Sequence, residues 1–77
     1  MSAEPLVKMA NDIGDYFASE PDHAAAVTSV ATHIRSYWEP RMRKQIFAHL
    51  DGGGAGLSGL ARAAIQQLVD KERATAP

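Results

Sequence analysis

The chain predicts an all-α fold, a small bundle of three to four short amphipathic helices. Apolar residues recur at the i, i+3, i+4, i+7 spacing of a helix face in successive segments. The period-2 alternation of a strand is missing, and β-branched residues are few. With 77 residues and no cysteine, one domain over 1–77 is expected, without disulfides or thiolate metal sites.

A first helix over 3–18 puts Leu6, Met9, Ala10, Ile13 and Phe17 on one face. Ser2 suits its N-cap, and Glu4 and Pro5 suit its first turn. Gly14 costs about 1 kcal/mol against alanine inside a helix, which points to close approach by another backbone. The run Ser19-Glu20-Pro21-Asp22 ends this helix, and Ser19 with Asp22 resembles a capping box for the next.

A second helix over 22–37 carries Val27, Val30, Ala31 and Ile34 as its stripe, extended by Trp38. Pro40 disfavours helical geometry at Glu39, so this helix stops near Trp38. A third, over 40–50, gathers Met42, Ile46, His49 and Leu50 on one face, with Phe47 at its edge. The glycine-rich stretch after Asp51 reads as a hinge over 52–56 that leaves the fourth helix free to dock elsewhere. That fourth helix, over 59–73, has Ser58 as N-cap and Leu60, Ala61, Ala64, Ile65, Leu68 and Val69 as its stripe. Lys71 and Arg73 complement the dipole in its last turn, and the chain should fray from Ala74 to Pro77.

Composition excludes more than it names. The net charge of −1 provides no general attraction to nucleic acid or anionic lipid. No apolar run approaches the roughly 20 residues that cross a bilayer. No export signal is visible at the start, and a cytoplasmic location is expected. A domain this small buries only roughly 60% of its unfolded surface, so a partner chain is the expected stabiliser. Charge is uneven: residues 1–22 hold five acids against Lys8, whereas residues 33–50 hold four bases against Glu39.

Three motifs stand out. Gly54-Ala55-Gly56-Leu57-Ser58-Gly59 spells G-x-G-x-x-G, but a dinucleotide site needs a strand before the loop, and a helix is expected there. A capping loop is the better reading. His23, His33 and His49 are too scattered for a metal site, which would need further ligands. His49 on an apolar face reads as a hydrogen-bonded core or interface side chain.

The segment from Tyr37 to Lys44 concentrates two aromatics, a proline turn and three cations. Arg41, Arg43 and Lys44 fall at the start of the third helix, where each cation opposes the dipole by about 0.3–1 kcal/mol. A rule broken repeatedly in one element calls for compensation from outside it. Three readings compete: partner contact, a core tryptophan with a solvated basic rim, and nucleic-acid binding. Catalysis needs a nucleophile beside a base, or paired carboxylates in a cleft, and no such arrangement is evident.

The chain also resembles a known family. Leu6 to Gly14 followed by Tyr16-Phe17 is similar to the opening of the delta subunit of soluble NAD-dependent formate dehydrogenase. His33-Ile34-Arg35 with Trp38-Glu39-Pro40-Arg41-Met42-Arg43 resembles that family's middle motif, and His49-Leu50-Asp51, Gly53, Gly56-Leu57 and Leu60 its third. The pattern departs at Asp12, Tyr37 and Gly59, where the family suggests Gln, Phe and Pro.

The resemblance implies a small, cofactor-free accessory subunit in a cytoplasmic molybdoenzyme complex. It implies an alpha subunit that oxidises formate at a molybdenum bis(molybdopterin guanine dinucleotide) centre. It also implies iron–sulfur clusters leading to an FMN-containing beta subunit, which reduces NAD with help from gamma. Delta would support the alpha subunit's stability or cofactor insertion, and no catalytic, cofactor or metal residue carries over to this chain. The expected contact is Trp38, Arg41, Met42 and Arg43, with Met9, Ile13 and Phe17 joining the fold to it. A transient assembly chaperone and a small nucleic-acid-binding module are the alternatives.

Overall fold

Helix starts and stops follow local chemistry along the chain. In the computed structural model, which describes residues 3–75, α1 spans Glu4–Phe17, α2 His23–Tyr37, α3 Pro40–Asp51 and α4 Gly59–Thr75. Among the described residues there is no strand. The fold is therefore the small all-α bundle that the periodicity predicts.

Pro5 stands in the first turn of α1, where its missing N–H is no loss. Ala3 is the N-cap and offers no side-chain bond; Ser2, the expected cap, lies outside the described residues. The cap of α2 is Asp22 itself, whose carboxylate accepts from the backbone N–H groups of Ala24 at 3.0 Å and Ala25 at 3.3 Å. This corrects the expected Ser19–Asp22 box: Asp22 is extended just before the helix, so its own side chain reaches the orphan donors.

α2 ends where Pro40 requires it to. Trp38 (φ −85°, ψ 140°) and Glu39 (φ −67°, ψ 152°) are extended, and Pro40 opens α3. The extended step lets Tyr37 point outward while Trp38 turns into the core. Ser58 caps α4 as expected, its Oγ accepting from Ala61 N–H at 3.3 Å. The last helix continues to Thr75, beyond the expected end at Arg73. Of the tail expected to fray, Ala76 and Pro77 lie outside the described residues.

α2 and α4 form the main helix contact, α1 packs on both, and α3 packs on α4 and touches α1. Ala31, Ala61 and Ala64 are buried between Val30, Ile34, Ile65 and Leu68. Small side chains there let the helices approach closely while the branched ones interdigitate. Leu6 and Ala10 of α1, Ile46 of α3 and Trp38 complete the core. The radius of gyration is 11.6 Å, against about 11.5 Å expected for a compact chain of this length. The fourth helix is thus docked on the other three.

The glycine-rich connection before α4 is tied on both sides. Asn11 of α1 donates from Nδ2 to Gly56 O at 2.9 Å and accepts from Ser58 N–H at 2.8 Å. Arg62 of α4 donates from Nη2 to Gly53 O at 2.9 Å and Gly54 O at 3.0 Å. His49 Nε2 donates to Ala55 O at 2.7 Å. Gly53, Gly54 and Gly56 all take positive φ, which the left-handed turn requires. The G-x-G-x-x-G string is therefore preceded by a helix, and its Gly54 and Gly56 carbonyls are bonded to Arg62 and Asn11.

Candidate functional site: an aromatic face on α1 and α2

Tyr16 and Phe17 at the end of α1 lie across from His33 and Tyr37 on α2. The Tyr16 and Phe17 rings meet edge to face with centroids 5.0 Å apart. Phe17 meets His33 edge-on at 6.5 Å, and His33 tilts against Tyr37 at 4.7 Å. Two helices thus contribute one continuous seam of four rings. Edge-to-face and tilted pairs suit the ring quadrupoles better than a face-to-face sandwich.

The seam faces solvent. Tyr16 is 79% exposed, Tyr37 75% and Met9 41%, whereas Ile13, Phe17 and His33 are half-buried. Ile13 and Phe17 pack against the core from this side. Between the helices runs an open groove of about 420 Å³ lined by Asp12, Ile13, Tyr16, Phe17, His33 and Tyr37. Phe17, His33 and Tyr37 also border a second groove, lined further by Thr28, Ser29, Thr32 and Ser36.

Asp12 supplies the acidic edge of the groove. Its carboxylate accepts from Lys8 Nζ at 2.9 Å across one exposed helical turn. That hydrogen bond, with the attraction of the carboxylate charge, holds the Lys8 ammonium above its ordinary value. An exposed pair of this kind is screened by water and restrains neither side chain strongly.

The structure divides the seven residues expected at the contact. Ile13 and Phe17 line the aromatic groove, and Met9 is exposed on the same α1 stripe. Trp38 is only 5% exposed and belongs to the core, the placement described by the core-tryptophan reading. Met42 is half-buried against that core, and Arg41 is exposed on α3. Arg43 donates from Nη1 to the carbonyls of Trp38 at 2.6 Å and Arg35 at 3.3 Å. Tyr16, His33 and Tyr37 were not among the residues expected at the contact, although Tyr37 opens the aromatic and basic segment read as a candidate partner surface. Their signal was present in a tyrosine beside each inward aromatic, Tyr16 before Phe17 and Tyr37 before Trp38.

Among the described residues, no polar or charged side chain is buried, and no three His, Cys, Asp or Glu side chains gather to hold a metal ion. None of the described helices is long and apolar enough to cross a membrane.

Fold and surface together define a small all-α bundle whose most distinctive feature is a solvent-facing aromatic seam. A family model, the NADH-dependent formate dehydrogenase delta subunit FdsD, matches residues 5–65. The chain belongs to that family, and is a delta subunit of NAD-dependent formate dehydrogenase. No curated protein and no solved structure matches it.

Proposed function

We propose that this chain is a non-catalytic accessory subunit that docks on the molybdenum-containing alpha subunit of formate dehydrogenase and supports its stability or cofactor insertion. The assembly also contains beta and gamma subunits and operates in the cytoplasm. The chain carries no cofactor of its own; molybdopterin, iron–sulfur, FMN and NAD chemistry belongs to its partners.

One observation carries the reading: a family member of 77 residues exposes Tyr16 and Tyr37 along one groove between two packed helices, with Met9 exposed on the same α1 stripe. Exposed aromatics gathered beside half-buried apolar side chains are the composition of a protein-binding surface. A domain of this size also gains stability by covering such a surface.

The test is to express the alpha subunit with and without this chain, then measure its solubility and molybdenum content. Both should fall without the chain. Unchanged values would overturn the reading. Stoichiometric recovery of the chain in the active complex marks a permanent subunit, and its loss after cofactor loading marks a chaperone.

A further inference from the structure

We propose that the α1–α2 aromatic seam receives a segment of the alpha subunit that presents an arginine or lysine between apolar side chains. This rests on the accessory-subunit reading and adds both the surface and the chemistry of what covers it.

The occupant's charge follows from the rim. Asp12 lines the groove itself, and Glu4, Asp15, Glu20 and Asp22 are exposed elsewhere on α1 and the turn that follows. The only base among residues 1–22 is Lys8, which is already bonded to Asp12. The α2 side contributes Thr28, Ser29, Thr32 and Ser36, with no lysine or arginine, and the His33 ring. A guanidinium or ammonium entering here meets a carboxylate and the faces of two exposed tyrosines. Cation–π contact and charge pairing then act on the same group. The apolar neighbours cover Met9, Ile13 and Phe17.

The same rim selects against other occupants. A two-fold contact of this face with itself sets each copy's acids against the other's. Nucleic acid and anionic lipid bring phosphates to a carboxylate edge, which repels them.

Three measurements on the co-expressed complex test this. Tyr16→Ala/Tyr37→Ala should lower retention of the chain on the tagged alpha subunit by about tenfold or more, with helix content unchanged by circular dichroism. Asp12→Lys should weaken retention in the same direction, while Asp70→Lys, on α4, should leave it unchanged. A photo-crosslinking analogue at position 16 or 37 should capture an alpha-subunit peptide containing Arg or Lys with apolar neighbours.

Equal retention of the double variant and the wild type overturns the seam while leaving the accessory reading intact. Failure of the wild type to be retained overturns both. A captured acidic peptide, a second copy of this chain or nucleic acid overturns the proposed occupant.

Discussion

Arg43 on α3 reaches back to close the end of α2, donating from Nη1 to the Trp38 carbonyl at 2.6 Å. The same nitrogen meets Arg35 O at 3.3 Å. A cation at the wrong end of its own helix is thus at the right end of the preceding one. One of the three cations that oppose the dipole of α3 thus has an internal explanation, because the proline turn brings the start of α3 beside the last carbonyls of α2.

Arg43 and Arg41 should therefore respond oppositely to charge reversal. Arg43→Glu removes the cap and puts a carboxylate against two carbonyls, and should destabilise the chain by about 1.5–3 kcal/mol. Arg41→Glu, on an exposed side chain in the first turn, replaces an unfavourable charge with a favourable one and should stabilise by about 0.3–1 kcal/mol. Urea unfolding of the isolated chain reads both. Equal signs would mean that the Arg43 bond contributes nothing in solution.

Trp38 and its neighbour Tyr37 make a second contrast. Trp38→Ala should cost about 3–5 kcal/mol, the range for truncating a buried aromatic. That is a large share of the roughly 5–15 kcal/mol available to a small domain. Tyr37→Ala should stay within about 0.5 kcal/mol, as expected for an exposed position. Thermal unfolding monitored at 222 nm separates them. A small loss for Trp38→Ala would return the indole to the surface.

The helical stripes were legible because each depends only on spacing. Leu6, Ala10, Val27, Val30, Ile34, Ile46, Ala61, Ile65 and Leu68 can be assigned to the core by counting threes and fours, and all are buried. Trp38 was legible only in part: spacing extends the α2 stripe to it, but an extended residue at a helix end need not follow the helical face, and partner contact competed with the core reading. Its inward turn depends on the geometry set by Pro40. Asn11 was equally silent: its two bonds span 45 and 47 residues of sequence, and no local pattern announces them. The aromatic face was half visible, with Met9, Ile13 and Phe17 on the predicted stripe. Its α2 half required knowing which side of α2 lies against α1.

Asn11 should prove more important than its half-buried setting suggests. It fixes the Gly56 carbonyl and the Ser58 N–H together, at the start of α4. Asn11→Ala should cost about 1–3 kcal/mol, from two hydrogen bonds at about 0.5–1.5 each. The distinguishing readout is amide exchange: the Ser58 N–H should exchange faster in the variant, while amides in the middle of α2 follow only the global change. Unaltered Ser58 exchange would mean that the bond is not formed in solution.

Two glycines with different surroundings give the last contrast. An added Cβ at Gly14 would lie 3.5 Å from Ser58 Oγ, 3.7 Å from Ala61 N and 3.9 Å from Ala61 Cβ. These are ordinary contacts, so α4 lies near Gly14 without requiring a missing side chain. Gly14→Ala should stabilise by up to about 1 kcal/mol through helix propensity and a less free unfolded chain. That corresponds to a rise in Tm of about 4–8 °C for a domain of this size. At Gly54, φ is +66° and a Cβ would fall 2.9 Å from Arg62 Nη2. Gly54→Ala combines left-handed strain of about 1–2 kcal/mol with displacement of the guanidinium that holds the Gly53 and Gly54 carbonyls. It should lower Tm and loosen the start of α4, whereas Arg62→Ala on its own should reproduce only the loosening. Calorimetry on the three variants checks the ordering, and a stabilised Gly54→Ala would show that the loop tolerates a different turn.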